Sequence, residues 1–337
     1  MIFSMKNKTS TFYITLTTLP IIGYGIYYFY MRKKKNIFLQ DPNIKYIAYL
    51  KSIDEVSHDT KKFKFGLPTN SHVLGLPTGQ HLYLNADIDG KKVIRPYTPI
   101  SLEDSKGFFD LVIKIYHKDV HPKFPDGGKM TQHLNSLKIG DGIEVRGPSG
   151  RLRYLGDDKF SIKLTFKDKD NVGPPRIVRT KRIGMIAGGT GITPMFQMLQ
   201  AILLNPTPGN KDIQFDLLFA NQTEKDILLK DEIEALAKMF PTRFRYWYTV
   251  DKLTEDPKDS GKEWPYDIGY VNAKMISQHL PSPSAVSNGS TSQTTSNGVV
   301  ENLETLILTC GPPPMIKFAV SPALSKLGYS DNEIFVY

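Results

Sequence analysis

Apolar and polar residues alternate in short runs from residue 44 onward, and Gly, Pro and Asp turns separate the runs. This spacing is typical of strands in an antiparallel sheet. The runs cover residues 46–50, 63–66, 81–86, 92–95, 109–116 and 142–146. Together they predict a small antiparallel β-barrel over residues 44–150. One short helix is expected within it, beginning near Thr131 and carrying Leu134 and Leu137 on one face.

Beyond residue 181 the pattern changes to apolar strands that alternate with amphipathic helices. Strands are predicted at 183–187, 215–220, 244–250 and 306–310, and apolar residues recur at helical spacing between 195 and 203. Further helices are predicted at 231–239, 272–279 and 315–327. Such alternation indicates an α/β domain with a doubly wound parallel sheet, here over residues 181–337.

Two segments lack a clear periodic pattern. Residues 151–180 are polar and contain a Gly-Pro-Pro sequence at 173–175, which predicts a hinge between the two domains. Residues 281–302 are rich in Ser, Thr, Asn and Gly. Because such a composition buries little apolar surface, this segment is predicted to be a disordered surface loop within the second domain.

The N-terminus has a different character. No charged side chain occurs between residues 9 and 31, a length that reaches the ~20 residues needed to span a bilayer. We therefore predict a short tail at 1–10, a transmembrane helix at 11–31 and a basic tether at 32–43. The four cations at 32–35 outweigh Lys6 and Lys8, so the positive-inside rule leaves the C-terminal domains facing the cytosol. No small-residue cleavage site follows the span, which disfavours a signal peptide.

Charge and cysteine content limit the function classes. A formal net charge of +9 suggests an acidic partner, which the charge alone leaves open as a protein, a nucleic acid or an anionic membrane. The single cysteine, Cys310, excludes an intramolecular disulfide and a cysteine-rich zinc site. The seven histidines show no HExxH spacing or other ligand cluster. We therefore expect no metal site and no bound haem.

Two motifs in the barrel region have residues suited to a nucleotide cofactor. Residues 95–98, Arg-Pro-Tyr-Thr, end a predicted strand and offer a cation, an aromatic ring and a hydroxyl to a diphosphate and a flat heterocycle. Residues 127–131, Gly-Gly-Lys-Met-Thr, precede the short helix, whose free N–H groups can receive a phosphate. Each motif also has an ordinary structural interpretation, as a turn or a helix start.

Two further motifs follow predicted strands of the second domain. Residues 188–194, Gly-Gly-Thr-Gly-Ile-Thr-Pro, lie where doubly wound sheets bind nucleotides, and the glycines allow close approach of a ligand. This sequence is neither the GxGxxG fingerprint nor a Walker motif, because it lacks the GK[ST] ending. Residues 310–315, Cys-Gly-Pro-Pro-Pro-Met, form a stiff loop that can hold the thiol near a reactive ring. Taken alone, a cysteine at a strand end is more often a core residue.

The four motifs, in this order, closely resemble the ferredoxin-reductase superfamily and within it the NADH–cytochrome b5 reductases. The resemblance runs from about residue 44 to the C-terminus. It extends to residues 110–116 (Asp-Leu-Val-Ile-Lys-Ile-Tyr), 146–150 (Arg-Gly-Pro-Ser-Gly) and 219–228 (Phe-Ala-Asn-Gln-Thr-Glu-Lys-Asp-Ile-Leu). It implies a barrel that binds FAD, a second domain that binds NADH, and an acidic haem protein such as cytochrome b5 as electron acceptor. No nucleic-acid partner is implied.

The resemblance assigns FAD contacts to the barrel and its helix. Arg95 would neutralise the diphosphate, Tyr97 would pack against the flavin, and Thr98 would hydrogen-bond near flavin N5, the hydride-accepting atom. The full set implied for FAD is Arg95, Pro96, Tyr97, Thr98, Ile113, Lys114, Tyr116, Phe124, Gly128, Lys129, Met130 and Thr131.

The resemblance also assigns the NADH contacts. Gly189, Thr190, Cys310 and Pro312 would position the nicotinamide, while Thr193 would touch the flavin from the second domain. Asp251 would meet the adenosine ribose and repel a 2′-phosphate, so NADH is expected over NADPH. Roles in catalysis itself are implied for three residues: Thr98, Lys114 and Cys310.

Two other functions stay open from sequence. One is a flavin reductase of the same architecture that serves another one-electron acceptor, and the other is a membrane scaffold that binds FAD without turnover. The presence of Thr98, Cys310 and residues 189–191 argues against a scaffold, because FAD binding alone needs no nicotinamide site. The choice between endoplasmic reticulum and mitochondrial outer membrane, the oligomeric state and the contribution of Tyr337 stay open.

Overall fold

The structure is a computed structural model that describes residues 36–120, 122, 124–163, 174–255, 263–284, 293–295 and 298–337. The predicted tail, the predicted span at 11–31 and the basic run at 32–35 lie outside the described residues. Within the described ranges, no helix combines the length and the apolar character needed to cross a membrane.

The first half of the described chain forms an antiparallel barrel sheet, as predicted. Its strands in chain order are β1 (Asn36–Ile37), β2 (Lys45–Ser57), β3 (Thr60–Gly66), β4 (His72–Val73), β5 (His81–Ile88), β6 (Lys91–Tyr97), β7 (Phe108–Lys114) and β8 (Gly142–Ser149). The barrel sheet has the order β6-β5-β8-β2-β3-β7, while β1 pairs only with β4. A hydrogen bond of 2.9 Å from the Ile100 N–H to the Asp110 carbonyl joins the chain after β6 to β7.

Burial follows the alternation seen in the sequence. Phe63 and Phe65 of β3, Phe109 of β7 and Leu84 of β5 point inward and are fully buried. The short helix α1 (Lys129–Ser136) adds Leu134 to this core and lies against β5 and β6. It begins two residues before the predicted start. These contacts fix the helix start beside the end of β6, which brings the two barrel motifs together.

The second half contains the parallel sheet. The described strands of this half of the chain are β9 (Leu152–Gly156), β10 (Lys159–Ile162), β11 (Arg176–Arg179), β12 (Arg182–Gly188), β13 (Gln214–Asn221), β14 (Phe244–Val250), β15 (Asp267–Ile268), β16 (Gln293–Thr295), β17 (Gly298–Asn302), β18 (Leu306–Cys310) and β19 (Ile334–Val336). Strands β15-β14-β13-β12-β18-β19 are all parallel and lie side by side in that order. The predicted doubly wound sheet is therefore confirmed, and β15 and β19 are additions to the predicted strands.

Helices cover both faces of this sheet. They are α2 (Ile192–Leu203), α3 (Lys230–Met239), α4 (Ala273–His279) and α5 (Ser321–Lys326), with short 3₁₀ turns at Gly189–Gly191, Glu224–Asp226 and Asp331–Glu333. A helical turn at Pro313–Met315 and a π-helical turn at Ile316–Val320 lead directly into α5. The wider turn precedes Pro322, which has no N–H to donate to the carbonyl four residues earlier.

The interpretation of residues 151–180 as a hinge was wrong for the described part. Strands β9, β10 and β11 lie within it and form a sheet in the order β16-β17-β11-β10-β9. Buried Leu152, Phe160 and Val178 attach this sheet to the core of the second domain. Short strands with one apolar residue in two or three leave too weak a periodic signal to be detected from sequence.

The prediction of disorder over 281–302 is also wrong at both described ends. Pro281 is buried, and its carbonyl accepts a hydrogen bond from the Tyr329 hydroxyl. The Ser284 N–H donates to Glu333 at 2.7 Å. At the other end β17 pairs with β11. Residues 285–292 and 296–297 lie outside the described residues.

A side-chain amide links the two domains. In α2, Gln197 Oε1 accepts from the Gly79 N–H at 2.8 Å, and its Nε2 donates to the Gln80 carbonyl at 3.3 Å. The Gln197 side chain is buried, so both bonds are shielded from water. Arg151, which follows β8 of the barrel, also donates to the Val336 carbonyl of β19 at 2.7 Å.

The predicted tether at 32–43 requires correction from residue 36 onward. Strand β1 pairs with β4, and the next two residues, Phe38 and Leu39, are 5% and 2% exposed within the barrel core. Phe38 also packs on Tyr46 at a ring separation of 5.1 Å. The three adjacent apolar residues Ile37, Phe38 and Leu39, in an otherwise polar stretch, are too short a run to predict this packing.

We expect the Leu39→Ala variant to lose about 2–4 kcal/mol of unfolding free energy, since it removes a buried side chain from a packed core. Urea unfolding monitored by circular dichroism measures the loss. The exposed neighbour provides the control, because Gln40→Ala removes a solvated side chain. Equal effects of the two changes would show that the segment acts as a tether after all.

Candidate active site

The first part of the site lies at the end of β6. Arg95 is exposed there, with a hydrogen bond of 2.8 Å to the Ile94 carbonyl, while Tyr97 and Thr98 are half-buried. Burial raises the pKa of Tyr97 above its usual range, opposed by Arg95. The phenol therefore stays protonated at neutral pH and can donate a hydrogen bond. The Arg95 guanidinium, the Tyr97 ring and the Thr98 hydroxyl thus lie within four residues of one another at the end of β6.

The start of α1 forms the second part. Gly127 has φ +65°, and a Cβ there would lie 2.5 Å from the Tyr116 carbonyl. The Gly128 N–H donates to that same carbonyl at 2.8 Å, and the Tyr116 N–H donates to Thr131 Oγ1 at 3.2 Å. Gly128 caps the helix without a side-chain hydrogen bond. The first-turn N–H groups, which have no partners within a helix, are therefore available to an anion.

Two loops of the parallel sheet interlock to form the third part. A Cβ on Gly191 would lie 2.1 Å from the Cys310 carbonyl oxygen, and one on Gly188 would lie 2.9 Å from Pro312 Cδ. Side chains at these glycines would therefore separate the loops. The turn Gly189–Gly191 also contacts β7 of the barrel. The loops that follow β12 and β18 thus meet each other and face the first domain.

Lys114 ends β7 and connects the domains through charge. Its ammonium lies 2.7 Å from Asp59 of the barrel and 3.0 Å from Asp226 of the second domain. Burial alone would lower the pKa of Lys114, but the hydrogen bonds to these two carboxylates outweigh it and raise the pKa. Lys114 is therefore protonated over the physiological range and forms an ion pair with each of the two acids.

Asp226 is held firmly for this contact. Its carboxylate accepts from the Thr223 N–H at 3.0 Å and from the Thr223 hydroxyl at 2.6 Å. Burial would raise its pKa, but these bonds and Lys114 lower the pKa below the usual range. Ligand atoms of His58, Asp59 and Asp226 lie within 4.8 Å of one another, a spacing that could suit a metal ion. The Lys114 ammonium already forms ion pairs with both carboxylates, which disfavours a second cation there.

The environment of Cys310 decides what its thiol can do. The side chain packs against the core of the second domain, and burial raises its pKa to about 11. The thiol is therefore protonated at neutral pH. A neutral thiol can contact a ring or donate a weak hydrogen bond, but it is a poor nucleophile.

Several predicted site residues have side chains that face away from a ligand. Ile113 and Met130 are each 2% exposed and belong to the barrel core, so only their backbone atoms are available to a cofactor. Thr193 is buried, and its hydroxyl donates to the Thr190 carbonyl at 3.2 Å. By contrast, the exposed members of the predicted set are Arg95, Pro96, Tyr116, Phe124, Lys129, Asp251 and Pro312.

Sequence reasoning missed the residues that align the domains. Asp59, Asp226 and Gln197 were absent from the predicted site. Their partners are far away in sequence: Asp226 lies 112 positions after Lys114, and Gln197 lies 118 positions after Gly79. The Thr-Glu-Lys-Asp capping box at 223–226 marks a helix start and carries no sign of its interdomain contact.

Each half of the chain matches a known protein family. The oxidoreductase FAD-binding domain family matches residues 48–154, and the oxidoreductase NAD-binding domain family matches residues 185–321. Human NADH-cytochrome b5 reductase 1 is 47% identical over 324 residues, which cover 96% of this chain and 95% of the human protein. Rat NADH-cytochrome b5 reductase 3 is 48% identical and covers 91% of each chain.

A solved structure agrees. The cytochrome b5 reductase domain of Ulva prolifera nitrate reductase superimposes with a TM-score of 0.72 at 38% identity, covering 89% of this chain and 99% of that domain.

We expect Asp226→Asn to weaken the link between the domains, because Lys114 then keeps one carboxylate instead of two. Leaving a half-buried charge with a poorer partner costs about 1–3 kcal/mol of unfolding free energy. Urea unfolding at neutral pH measures this loss. Glu255→Gln is the matched control, since its 3.9 Å pair with Lys225 is exposed. A loss no larger than that of the control would contradict an interdomain role.

Proposed function

Because the chain belongs to the family of NADH–cytochrome b5 reductases, we propose that it takes hydride from NADH onto FAD and passes single electrons to cytochrome b5 or a similar acidic haem protein. The observation that carries this proposal is the convergence of four chain segments. The end of β6 and the start of α1 lie together on the barrel, and the loops after β12 and β18 face them from the second domain.

The barrel residues suit FAD. Arg95 and the N–H groups at the start of α1 supply positive charge and donors for its diphosphate. Tyr97 and Tyr116 offer half-buried and exposed rings to a flat heterocycle. Thr98 follows Tyr97 directly, so its hydroxyl is placed to hydrogen-bond the edge of a ring held there.

The second domain suits NADH. Gly189, Thr190 and Pro312 form an exposed or half-buried edge at the carboxyl ends of β12 and β18. Ligands of doubly wound sheets bind at that edge. Asp251 follows β14 at the same edge and is exposed. Partial desolvation of its carboxyl by the surrounding chain, together with the negative charge of Asp226, raises the pKa of Asp251.

FAD, when bound, accepts two electrons as hydride and can release them one at a time, which links NADH to a haem acceptor. The barrel motifs would hold FAD, and the loops after β12 and β18 would hold NADH. Lys114, Asp226 and Gln197 fix the angle between the domains and therefore the distance between the two rings. The protonated Cys310 thiol supports the nicotinamide side without reacting.

The partner and the location are part of the proposal. An excess of nine positive charges favours short-lived complexes with an acidic haem protein. The uncharged stretch at 9–31, followed by four cations, supports a single N-terminal span with both domains in the cytosol. Either the endoplasmic reticulum or the mitochondrial outer membrane would satisfy this arrangement.

A stopped-flow experiment tests the function. The FAD-loaded protein should be yellow, NADH should bleach it, and oxidised cytochrome b5 should restore the colour while its haem is reduced. Ferric citrate and a soluble quinone, mixed in parallel, test other acceptors. Absence of bleaching by NADH would overturn the proposal. Faster reoxidation by the chelate or quinone than by cytochrome b5 would favour the alternative reductase.

A variant that begins at Asn36 tests the anchor. We expect it to be soluble and to retain NADH–ferricyanide activity, because it keeps β1 and the buried Phe38 and Leu39 together with both nucleotide-binding domains. Its rate with membrane-bound cytochrome b5 should fall, since confinement of both partners to one surface raises their effective concentration. An unchanged rate with the membrane-bound acceptor would argue against the anchor.

Asp251→Thr should shift cofactor preference toward NADPH by about ten- to a hundredfold, because it removes repulsion of the 2′-phosphate and loses charged hydrogen bonds to the ribose. The ratio of kcat/KM for the two nucleotides, with ferricyanide as acceptor, gives the result. Glu255→Thr makes the same charge change at an exposed position and should leave the ratio alone. An unmoved ratio in folded, flavin-loaded Asp251→Thr would reduce Asp251 to a turn residue.

A further inference from the structure

An unusual asparagine lies at the carboxyl end of β13. Asn221 is 6% exposed, and neither its Oδ1 nor its Nδ2 has a hydrogen-bond partner. Among the described residues, it is the one asparagine whose two side-chain polar atoms are both buried and unpaired. A buried polar group without a partner costs about 1–3 kcal/mol, so a role outside folding is the physical reason to retain it.

The position of Asn221 places it in the nucleotide-binding edge. Strand β13 lies between β12 and β14, and Asn221 pairs in register with Val250. It is thus flanked by the Gly189–Gly191 turn on one side and by Asp251 on the other. The Asp251 N–H donates to the Asn221 carbonyl at 3.0 Å, which fixes the two residues beside each other.

The side chain is on the face of the sheet that meets the barrel. Along β13 the alternate residues Phe215, Leu217 and Phe219 belong to the core cluster that includes Val112 of the barrel strand β7. Asn221 continues that series at spacing two. Because its amide has no hydrogen bonds to lose, it can rotate toward an entering ligand without breaking any.

The chemistry of the amide selects the ligand group. Nδ2 donates and Oδ1 accepts, so the amide needs a partner that does both. A diphosphate offers acceptors alone and would leave Oδ1 facing negative charge. A ribose diol offers hydroxyls that both donate and accept. We propose that Asn221, together with Asp251, hydrogen-bonds the adenosine ribose of NADH and so helps to position the nucleotide. This inference rests on the proposed function.

The test compares ADP with 2′,3′-dideoxy-ADP, which lacks both ribose hydroxyls, by titration calorimetry on the full-length, FAD-loaded enzyme. Asn221→Leu preserves shape and removes both polar atoms. We expect ADP to bind about tenfold more weakly to this variant, the worth of one or two neutral hydrogen bonds. Binding of the dideoxy analogue should be unchanged. Without added nucleotide, the Asn221→Leu variant should melt at the same temperature as the wild type or at a higher one, because the variant lacks the buried unpaired amide.

Tyr248→Phe is the matched control. Like Asn221→Leu, it removes a buried polar group without a hydrogen-bond partner. This group is the Tyr248 hydroxyl, in the middle of the neighbouring strand β14. It should leave the affinities for both nucleotides unchanged.

A second variant keeps the test decisive if Asn221→Leu folds poorly. Asn221→Asp still accepts from ribose hydroxyls, so the preference for ADP over the dideoxy analogue should persist. Equal weakening of both nucleotides by Asn221→Leu, loss of the preference in Asn221→Asp, or unchanged ADP binding would each overturn the inference. Failure of NADH to bleach wild-type flavin would instead overturn the proposed function, so the two failures are distinguishable.

Discussion

The arrangement of the molecule depends on β7, a strand that is buried on both faces. Phe109, Leu111 and Ile113 fill the barrel, while Val112 packs into the core of the second domain. At its end, Lys114 adds the ion pairs with Asp59 and Asp226. One strand thereby contributes to two hydrophobic cores and to an interdomain charge cluster. A change in its register would move every apolar side chain to the wrong core at once.

This shared strand explains why the two nucleotide sites meet. The Gly189–Gly191 turn contacts β7, so the second domain brings its ligand-binding edge against the barrel strand next to the FAD motifs. Gln197 holds the domains through neutral hydrogen bonds and Lys114 through charge. Salt should weaken the Lys114 ion pairs more than the Gln197 hydrogen bonds, because hydrogen bonds between neutral groups are not screened. The two interdomain contacts therefore differ in their dependence on ionic strength.

Sequence patterns predicted the elements whose burial is periodic. Alternation or helical spacing predicted most of the barrel strands, the parallel strands β12, β13, β14 and β18, and helices α1 to α4; strand β14 matches its predicted bounds. The described segments at 36–39, 152–162 and 176–179 were missed, because three apolar residues or a few short strands give no measurable period. The site motifs were found because they are local. Whether Ile113 and Met130 face a ligand or the core depends on barrel closure, and the partners of Asp226 and Gln197 depend on domain docking. Neither is encoded within a short window of sequence.

The packing of Phe38 and Leu39 changes the mechanics expected of an anchored enzyme. Had residues 36–43 been a free tether, they could have extended over roughly 28 Å. Instead residues 36–39 are part of the barrel domain. For a domain held at a bilayer, as proposed, those residues then add no free length to its connection with the lipid. A partner must then present its haem within a narrow range of heights above the lipid surface, and the length of the partner's own linker becomes the variable that sets how often the two meet.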